Sequence, residues 1–333
     1  MNLRVSSLGG GSWGTTVASL VARNAPITLW ARNQDTVTEI NTLHTNEKYL
    51  PGVKLPEKLV ATNNIEQAVA GADVVIMGIP SHNFRSVLEQ VKSHIRPWVP
   101  IISLTKGLEL ATGMRMTEVI KEVLPGHPVA VLTGPNLARE IMAGQAAASV
   151  IAMEDEIIVK ELQALFSSGL FRVYTNSDVI GCELGGVLKN IIAIAVGMGD
   201  GQGAGDNTRS ALITRGLAEM TRLGVAMGGK AETFAGLAGM GDMIATCTSP
   251  QSRNRHVGIE LGKGRSMKDI IDEMVMVAEG AKSAPAVMAL AEKHGVVMPI
   301  TTDVYRVLQG DSNAKRAYRG LLRVEAGAES EPG

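Results

Sequence analysis

Residues 3–14 read Leu3-Arg4-Val5-Ser6-Ser7-Leu8-Gly9-Gly10-Gly11-Ser12-Trp13-Gly14. A short apolar strand runs into Gly9-x-Gly11-x-x-Gly14, and the apolar stretch Thr15 to Ala22 follows. A glycine turn between a strand and a helix is what dinucleotide binding requires. The first glycine makes the tight turn, the second lets backbone approach a pyrophosphate, and the third lets the helix lie close to the strand. The phosphates then face free N–H groups at the helix start, where the dipole favours negative charge. With 37 glycines in the chain the pattern alone is cheap; its setting between strand and helix gives it weight.

Outward from this turn, strand-like runs alternate with helical stretches over about the first 180 residues. Strands are expected at Arg4–Leu8, Ile27–Trp30, Val74–Gly78, Ile101–Ser103, Val129–Leu132 and Ser149–Ala152, with helices such as Ser86–His94 and Met114–Val123 between them. The runs Val74-Val75-Ile76-Met77 and Ile101-Ile102 are continuously apolar, as in a parallel sheet covered on both faces. Residues 43–60, with Pro51 and Pro56, read as a long loop. After about Ser177 helical periodicity takes over, in Ile180–Met198, Ser210–Leu223, Ala231–Leu237, Ser266–Met274, Ser283–His294 and Ile300–Leu308. The expected fold is an α/β Rossmann-type domain with a mainly parallel sheet over 1–178, then an all-α domain over 179–325. The tail 326–333 is small and polar and is expected to be disordered.

The 333 residues suffice for two domains with large cores. Lys and Arg number 32 against 33 Asp and Glu, so net charge implies no attraction to nucleic acid or membrane. Cys182 and Cys247 are the only cysteines, too few for a disulfide scaffold. No signal-peptide pattern and no uninterrupted apolar run of membrane-spanning length is present, so a soluble, cytoplasmic protein is expected. The six histidines are scattered, without HxxxH or HExxH spacing, and no metal site is expected. Only His82, just after Pro80, sits near a turn of interest.

The ordered landmarks resemble one family. They are Gly9–Gly14, Ile79-Pro80-Ser81, Ser103-Leu104-Thr105-Lys106-Gly107, Gly134-Pro135-Asn136-Leu137-Ala138, Leu188-Lys189-Asn190, Asn207-Thr208 to Glu219, Gly239-Met240-Gly241-Asp242, Ser252-Arg253-Asn254 and Val277-Ala278-Glu279-Gly280. In that order, across nearly the whole chain, they are similar to the NAD(P)-dependent sn-glycerol-3-phosphate dehydrogenases of bacteria. The resemblance implies reversible reduction of dihydroxyacetone phosphate by NADPH or NADH, a homodimer formed through the helical domain, and a product used in phospholipid synthesis. The residues leave two alternatives: a reductase of another small ketone or hydroxyacid, ketopantoate-like, on the same fold, or a non-catalytic NADP-responsive regulator. The basic Ser252–Arg255 segment favours a phosphorylated substrate, and Lys106, Lys189 and Asp242 together favour catalysis.

On the cofactor side, the second strand ends Thr28-Leu29-Trp30-Ala31-Arg32. Arg32 stands where an NAD-selective site usually has an acid, and a guanidinium there can pair with a 2′-phosphate; a solvated surface arginine is the plain alternative. Asp35 lies at roughly the expected sequence distance for that acid, inside the next turn. By resemblance, Gly9, Gly11, Ser12, Trp13, Gly14, Arg32, Pro80, Lys106, Ala138, Arg253, Val277 and Glu279 contact the cofactor. Glu279 also reads as a carboxylate satisfied at a helix start.

Hydride transfer to a ketone needs a proton donor at the developing alkoxide, positive electrostatics around it and a clamp on the rest of the substrate. Lys189 is the donor candidate. Leu184, Val187, Leu188, Ile191, Ile192 and Ile194 make most of its helix apolar, whereas Gly186, Lys189, Asn190, Ala193 and Gly197 form one narrow stripe. A ligand can approach closely along that stripe, and desolvation there is expected to draw a lysine toward neutrality. From the helix alone, a lysine snorkelling to solvent is the plainer reading. Lys106 follows the strand Ile101–Ser103, at the end of the sheet where α/β ligands bind; alone it is an exposed loop lysine. Asp242, after a flexible-looking Gly239-Met240-Gly241, reads as an orienter of Lys189 or as a helix N-cap. The segment Ser249–His256 is polar and basic, a solvated loop by itself, but Ser252 to Asn254 can grip a phosphate, better still if they open a helix. The resemblance makes Lys189, Lys106 and Asp242 catalytic and adds Gly134, Asn136, Asn190, Ser252, Arg253 and Asn254 as substrate contacts. Asn136 departs from the hydroxyl residue expected at its position.

Overall fold

The computed structural model describes residues 3–274 and 278–321. It divides into two compact units, Met1–Glu109 with Met114–Val179, and Leu110–Gly113 with Ile180–Gly333.

In the first unit the order is β1 (Val5–Leu8), α1 (Ser12–Val21), β2 (Ile27–Trp30), α2 (Gln34–Leu43), β3 (Leu59–Thr62), α3 (Ile65–Val69), β4 (Val74–Met77) and α4 (Ser81–Val91). There follow β5 (Ile101–Ser103), α5 (Met116–Val123), β6 (Val129–Thr133), α6 (Ala138–Met142), β7 (Ala147–Ala152), α7 (Glu156–Phe166) and β8 (Phe171–Asn176). The strands form one sheet in the order β3-β2-β1-β4-β5-β6-β7-β8. Every pairing is parallel except β6 with β7. Strand order reverses between β1 and β4, and ligands of such sheets sit over the carboxyl ends of the strands at that reversal. Alternate side chains feed two cores on opposite faces: Val74 and Ile76 enter one with Val5, Leu29 and Leu132, while Val75 and Met77 enter the other with Leu8, Ile101 and Val129. Each such burial contributes about 1.5–3 kcal/mol.

Two strands escape the sequence pattern, and both are sheet edges. β3 begins inside the stretch 43–60 expected to be loop, burying Leu59 and Ala61 while exposing Val60; β8 buries Phe171 and Val173 and exposes Arg172 and Tyr174. Polar or exposed alternate residues dilute the apolar run that marks the central strands.

The second unit contains α8 (Val179–Gly201), α9 (Asp206–Ala226), α10 (Ala231–Ala235), a π-helical turn Leu237–Gly241, α11 (Asp242–Thr248) and α12 (Arg253–Gly262). It continues with α13 (Met267–Glu273), α14 (Glu279–Lys293), α15 (Pro299–Gln309) and α16 (Ala314–Leu321). Helix α8 is long and apolar enough to cross a membrane, but 94% of its most apolar window is buried inside the protein, as befits a core helix. α12 replaces the loop that composition alone favoured at 249–256: Ser252 caps it, and Asn254, Val257, Gly258 and Leu261 make its buried face at helical spacing. The expected tail 326–333 lies outside the described residues.

Glu219 of α9 shows how one landmark is structural. Its buried carboxylate accepts from the backbone N–H groups of Ile300 (2.6 Å) and Thr301 (3.1 Å) and from the Thr301 hydroxyl (2.9 Å), closing the start of α15. Burial raises its proton affinity above the ordinary carboxylate value, outweighing those three bonds. A folded-state value above the unfolded one means stability is fully present at low pH and falls as pH rises from the ordinary value of 4.5 through the raised one. Glu219→Gln is expected to abolish that fall in a pH series of urea midpoints, whereas Glu219→Ala strands the α15 donors and costs about 1–3 kcal/mol. Identical pH series for Glu219→Gln and the wild type would refute the first expectation.

Candidate active site

At the carboxyl edge of β1, Gly9 has φ +120°, and a Cβ there would lie 2.4 Å from the Gly78 carbonyl oxygen. A Cβ on Gly14 would lie 2.1 Å from the Gly9 oxygen, so α1 packs onto the turn itself. Gly11 is different: a Cβ there would meet nothing within 4 Å. It points at open space just where α1 begins, and the first N–H groups of any helix lack helical acceptors. Trp13 adds a buried indole N–H without an acceptor among the described residues. An open glycine edge, free helix N–H groups and a stranded donor fit the phosphate-bearing part of a nicotinamide dinucleotide. Sequence reading missed Asn46. It is fully buried within the 43–60 stretch, and its amide donates to the Gly10 carbonyl (3.0 Å) and the Thr15 hydroxyl (3.0 Å), propping the turn. An asparagine in a loop carries no signal of such a reach.

Other candidates gather at the same edge of the sheet. Arg32 is exposed just past β2. Asp35 lies in the first turn of α2, its N–H bonded to the Asn33 cap. Pro80 precedes α4, and Ala138 opens α6. The Lys106 ammonium donates to the Gly134 carbonyl at 2.8 Å, and the Thr105 hydroxyl donates to the Ile79 carbonyl at 2.6 Å, so the loops after β4, β5 and β6 are stitched together. Asn136 follows Gly134 by two residues, with both amide atoms shielded from solvent and without a hydrogen-bond partner among the described residues.

In the second unit the Lys189 ammonium lies 2.8 Å from an Asp242 carboxylate oxygen and donates to the Thr246 hydroxyl at 2.5 Å. That hydroxyl donates to the Asp242 carbonyl at 2.6 Å. All three side chains are buried. Lys189 therefore does not snorkel, and Asp242 acts through its side chain rather than as a cap. Thr246, one helical turn after Asp242, went unmarked in the sequence because a threonine on an apolar helix face has no distinctive signal. The approach to Asp242 is closely packed. Gly239 belongs to the π turn, where a Cβ would lie 2.1 Å from the Phe234 carbonyl oxygen, and a Cβ on Gly185 of α8 would lie 2.5 Å from that of Ala238. Cys247 sits beside this pair, and burial pushes its thiol up to about 12, so it stays protonated.

One residue along α8, the Asn190 amide donates to the Gly186 carbonyl and accepts from the Asn254 amide at 2.9 Å. Asn254 in turn accepts from the Gly280 N–H at 3.0 Å. The middle of α8 is thereby bridged to the starts of α12 and α14. Asn254, expected as a phosphate donor, also braces the helices through its oxygen and an amide hydrogen. Ser252 caps α12 by accepting from the Arg255 N–H at 3.2 Å. Arg253 opens α12, reachable by solvent yet densely surrounded by protein. Burial depresses its guanidinium below the ordinary value, and the Glu279 carboxylate, half-buried in the first turn of α14, opposes that. Val277 lies outside the described residues. The small stripe on α8 is filled by protein, not open to ligand, at its far end: a Cβ on Gly197 would lie 2.1 Å from the Arg255 carbonyl oxygen. Among the described residues no group of His, Cys, Asp and Glu side chains converges as a metal site.

A dinucleotide turn on a mainly parallel sheet, and a buried amine paired with a carboxylate in a helical unit beside an arginine at a helix N-terminus, define a nicotinamide-dependent oxidoreductase. The N-terminal model of NAD-dependent glycerol-3-phosphate dehydrogenase matches residues 4–159, and the C-terminal model matches 178–319. The chain is 71% identical over its full length to the full length of glycerol-3-phosphate dehydrogenase (NAD(P)+) 2 of Sphingopyxis alaskensis. It is 53% identical to glycerol-3-phosphate dehydrogenase (NAD(P)+) 1 of Mycobacterium tuberculosis, over 98% of this chain and 96% of that one. The crystal structure of the Coxiella burnetii glycerol-3-phosphate dehydrogenase superposes with a TM-score of 0.93 at 39% identity, covering 97% of this chain and 99% of the other. The chain belongs to the NAD-dependent glycerol-3-phosphate dehydrogenase family.

Proposed function

We propose that this chain interconverts dihydroxyacetone phosphate and sn-glycerol 3-phosphate, and that Lys189 exchanges the proton at the C2 oxygen. The carrying observation is the buried Lys189–Asp242–Thr246 cluster, joined through Asn190 and Asn254 to the start of α12. The nicotinamide supplies or accepts the hydride at C2. Lys189 holds the ketone oxygen and gives it a proton as negative charge develops; in the reverse direction it takes the proton from the alcohol. Asp242 and Thr246 fix the direction in which the ammonium points. Arg253, with the N–H groups at the start of α12, grips the phosphate, and Ser252 adds its hydroxyl hydrogen. Lys106 supplies a second positive charge, and Gly134, Asn136 and Asn190 complete the substrate contacts. Asn136 donates through its amide where a hydroxyl would otherwise serve.

The cofactor lies along Gly9, Gly11, Ser12, Trp13 and Gly14, with Pro80, Lys106, Ala138, Arg253, Val277 and Glu279 as further contacts. The exposed Arg32 just past β2 supports acceptance of a 2′-phosphate, hence NADPH as well as NADH. Family membership supports a cytoplasmic homodimer whose product feeds phospholipid synthesis. The test mixes the protein with dihydroxyacetone phosphate and follows absorbance of NADPH and NADH side by side. Oxidation of either is expected, faster with NADPH; no oxidation of either would overturn the reading.

A further inference from the structure

Helices α8 and α12 touch backbone to backbone. A Cβ on Gly201 would lie 2.3 Å from the Ile259 carbonyl oxygen, one on Gly258 2.1 Å from that of Ile194, and one on Gly262 2.6 Å from that of Met198. With Gly197 these make two Gly-x-x-x-Gly edges facing each other, residues four apart lying on one helix face. Helices with ordinary side chains at the contact stand about 8–10 Å apart and can slide or rock as side chains change rotamer. Here the glycine edges put backbone against backbone, which removes side-chain rotamers as a source of such sliding.

Beside the crossing stands Asp200, a carboxylate with 9% of its side chain exposed. One of its oxygens accepts from Arg255 through Nε (2.8 Å) and Nη2 (2.7 Å); the other accepts from Arg209 of α9 through Nη2 (2.9 Å) and Nε (3.1 Å). Gln202 adds a bond to the Gly262 carbonyl. Arg255 lies two residues beyond Arg253, and Gly197 lies eight residues, about 12 Å at ~1.5 Å per residue, beyond Lys189. The crossing therefore joins the helix that carries the amine to the helix whose first turn carries the phosphate-gripping arginine. No residue of the Asp200 cluster is among those assigned above to substrate or cofactor.

We propose that Asp200 is a positioning residue: it locks the α8–α12 crossing as a rigid calliper that sets the span from Lys189 to Arg253. This rests on the assignment of Lys189 and Arg253 above. Binding energy at a remote phosphate accelerates reaction at a carbonyl only if the two grips are held at a fixed distance. A loosened joint still binds phosphate but wastes the grip, and a misplacement of ~1 Å costs about a hundredfold.

The experiment compares kcat/KM for dihydroxyacetone phosphate with that for phosphate-free dihydroxyacetone in the wild type, Asp200→Asn and Gly262→Ala. Asp200→Asn keeps shape and removes the charge that holds the two arginines. Gly262→Ala acts at the least crowded of the four glycines. The ratio of the two kcat/KM values does not depend on how much of a sample is folded, so general destabilisation leaves it unmoved. The ratio is expected to fall about tenfold or more in both variants, through kcat on the phosphorylated ketone, with the phosphate-free reaction unchanged. A wild-type ratio near one would remove the assigned phosphate grip, and the calliper with it. A large wild-type ratio that both variants retain would overturn the calliper alone.

Discussion

Lys189→Ala is expected to lower turnover of dihydroxyacetone phosphate by about two powers of ten or more, the usual weight of a positioned proton donor. Cofactor affinity is expected to stay near the wild-type value, because the glycine turn, Asn46 and Trp13 belong to the other compact unit. The substitution also removes a cationic partner of a carboxylate that is 2% exposed, and breaking a buried pair can cost about 3–5 kcal/mol of stability. Loss of activity through loss of fold must therefore be separated from loss of the proton. Lys189→Met fills the space without an amine, and Asp242→Asn keeps an acceptor for the amine without the charge. Turnover should collapse in Lys189→Met at a temperature well below its thermal midpoint, where the protein is folded, and fall less in Asp242→Asn, which disturbs direction only. Near-normal turnover in a folded Lys189→Met variant would remove the assignment.

The central sheet was legible because its interior strands are continuous apolar runs such as Val74 to Met77, buried on both sides. The glycine turn was legible because its three glycines have separate steric reasons, two of them against backbone oxygens. The edge strands β3 and β8 were not, since each buries only alternate residues. In the helical unit, Lys189 stood out as a charge in an apolar helix, and the structure supplies the reason it can remain there: Asp242. The π turn that delivers Asp242 was read as a flexible glycine segment, because glycines required for close packing and glycines required for motion look alike in sequence. The same ambiguity hid the meaning of Gly197 and Gly201. Their small size suits a ligand or a neighbouring helix equally well, and only the position of α12 decides between them. Asn46, Thr246 and Asp200 act through long-range hydrogen bonds, which leave no periodic trace along the chain.

Arg253→Ala is expected to raise KM for dihydroxyacetone phosphate by roughly ten- to a hundredfold, the weight of a charge-assisted hydrogen bond to a bound anion. The guanidinium carries a cost in the free protein. Its surroundings depress it below the ordinary arginine value, and Glu279 offsets only part of this. A phosphate dianion carries more charge than the Glu279 carboxylate, and its oxygens can accept from the planar fork and from the N–H groups at the start of α12 together. Lysine restores charge without the fork, so Arg253→Lys should recover part of the affinity and leave KM between the two extremes. At saturating NADPH, which masks the arginine's assigned contact with the cofactor, the phosphate-free ketone never meets this grip and should react with the same kcat/KM in all three proteins. Glu279 faces Arg253, so removing the arginine also alters a residue assigned to the cofactor; measuring KM for dihydroxyacetone phosphate at saturating NADPH separates the two effects. An unchanged KM under those conditions would move the phosphate site away from α12, and with it the reason for holding α12 so tightly against the helix of Lys189.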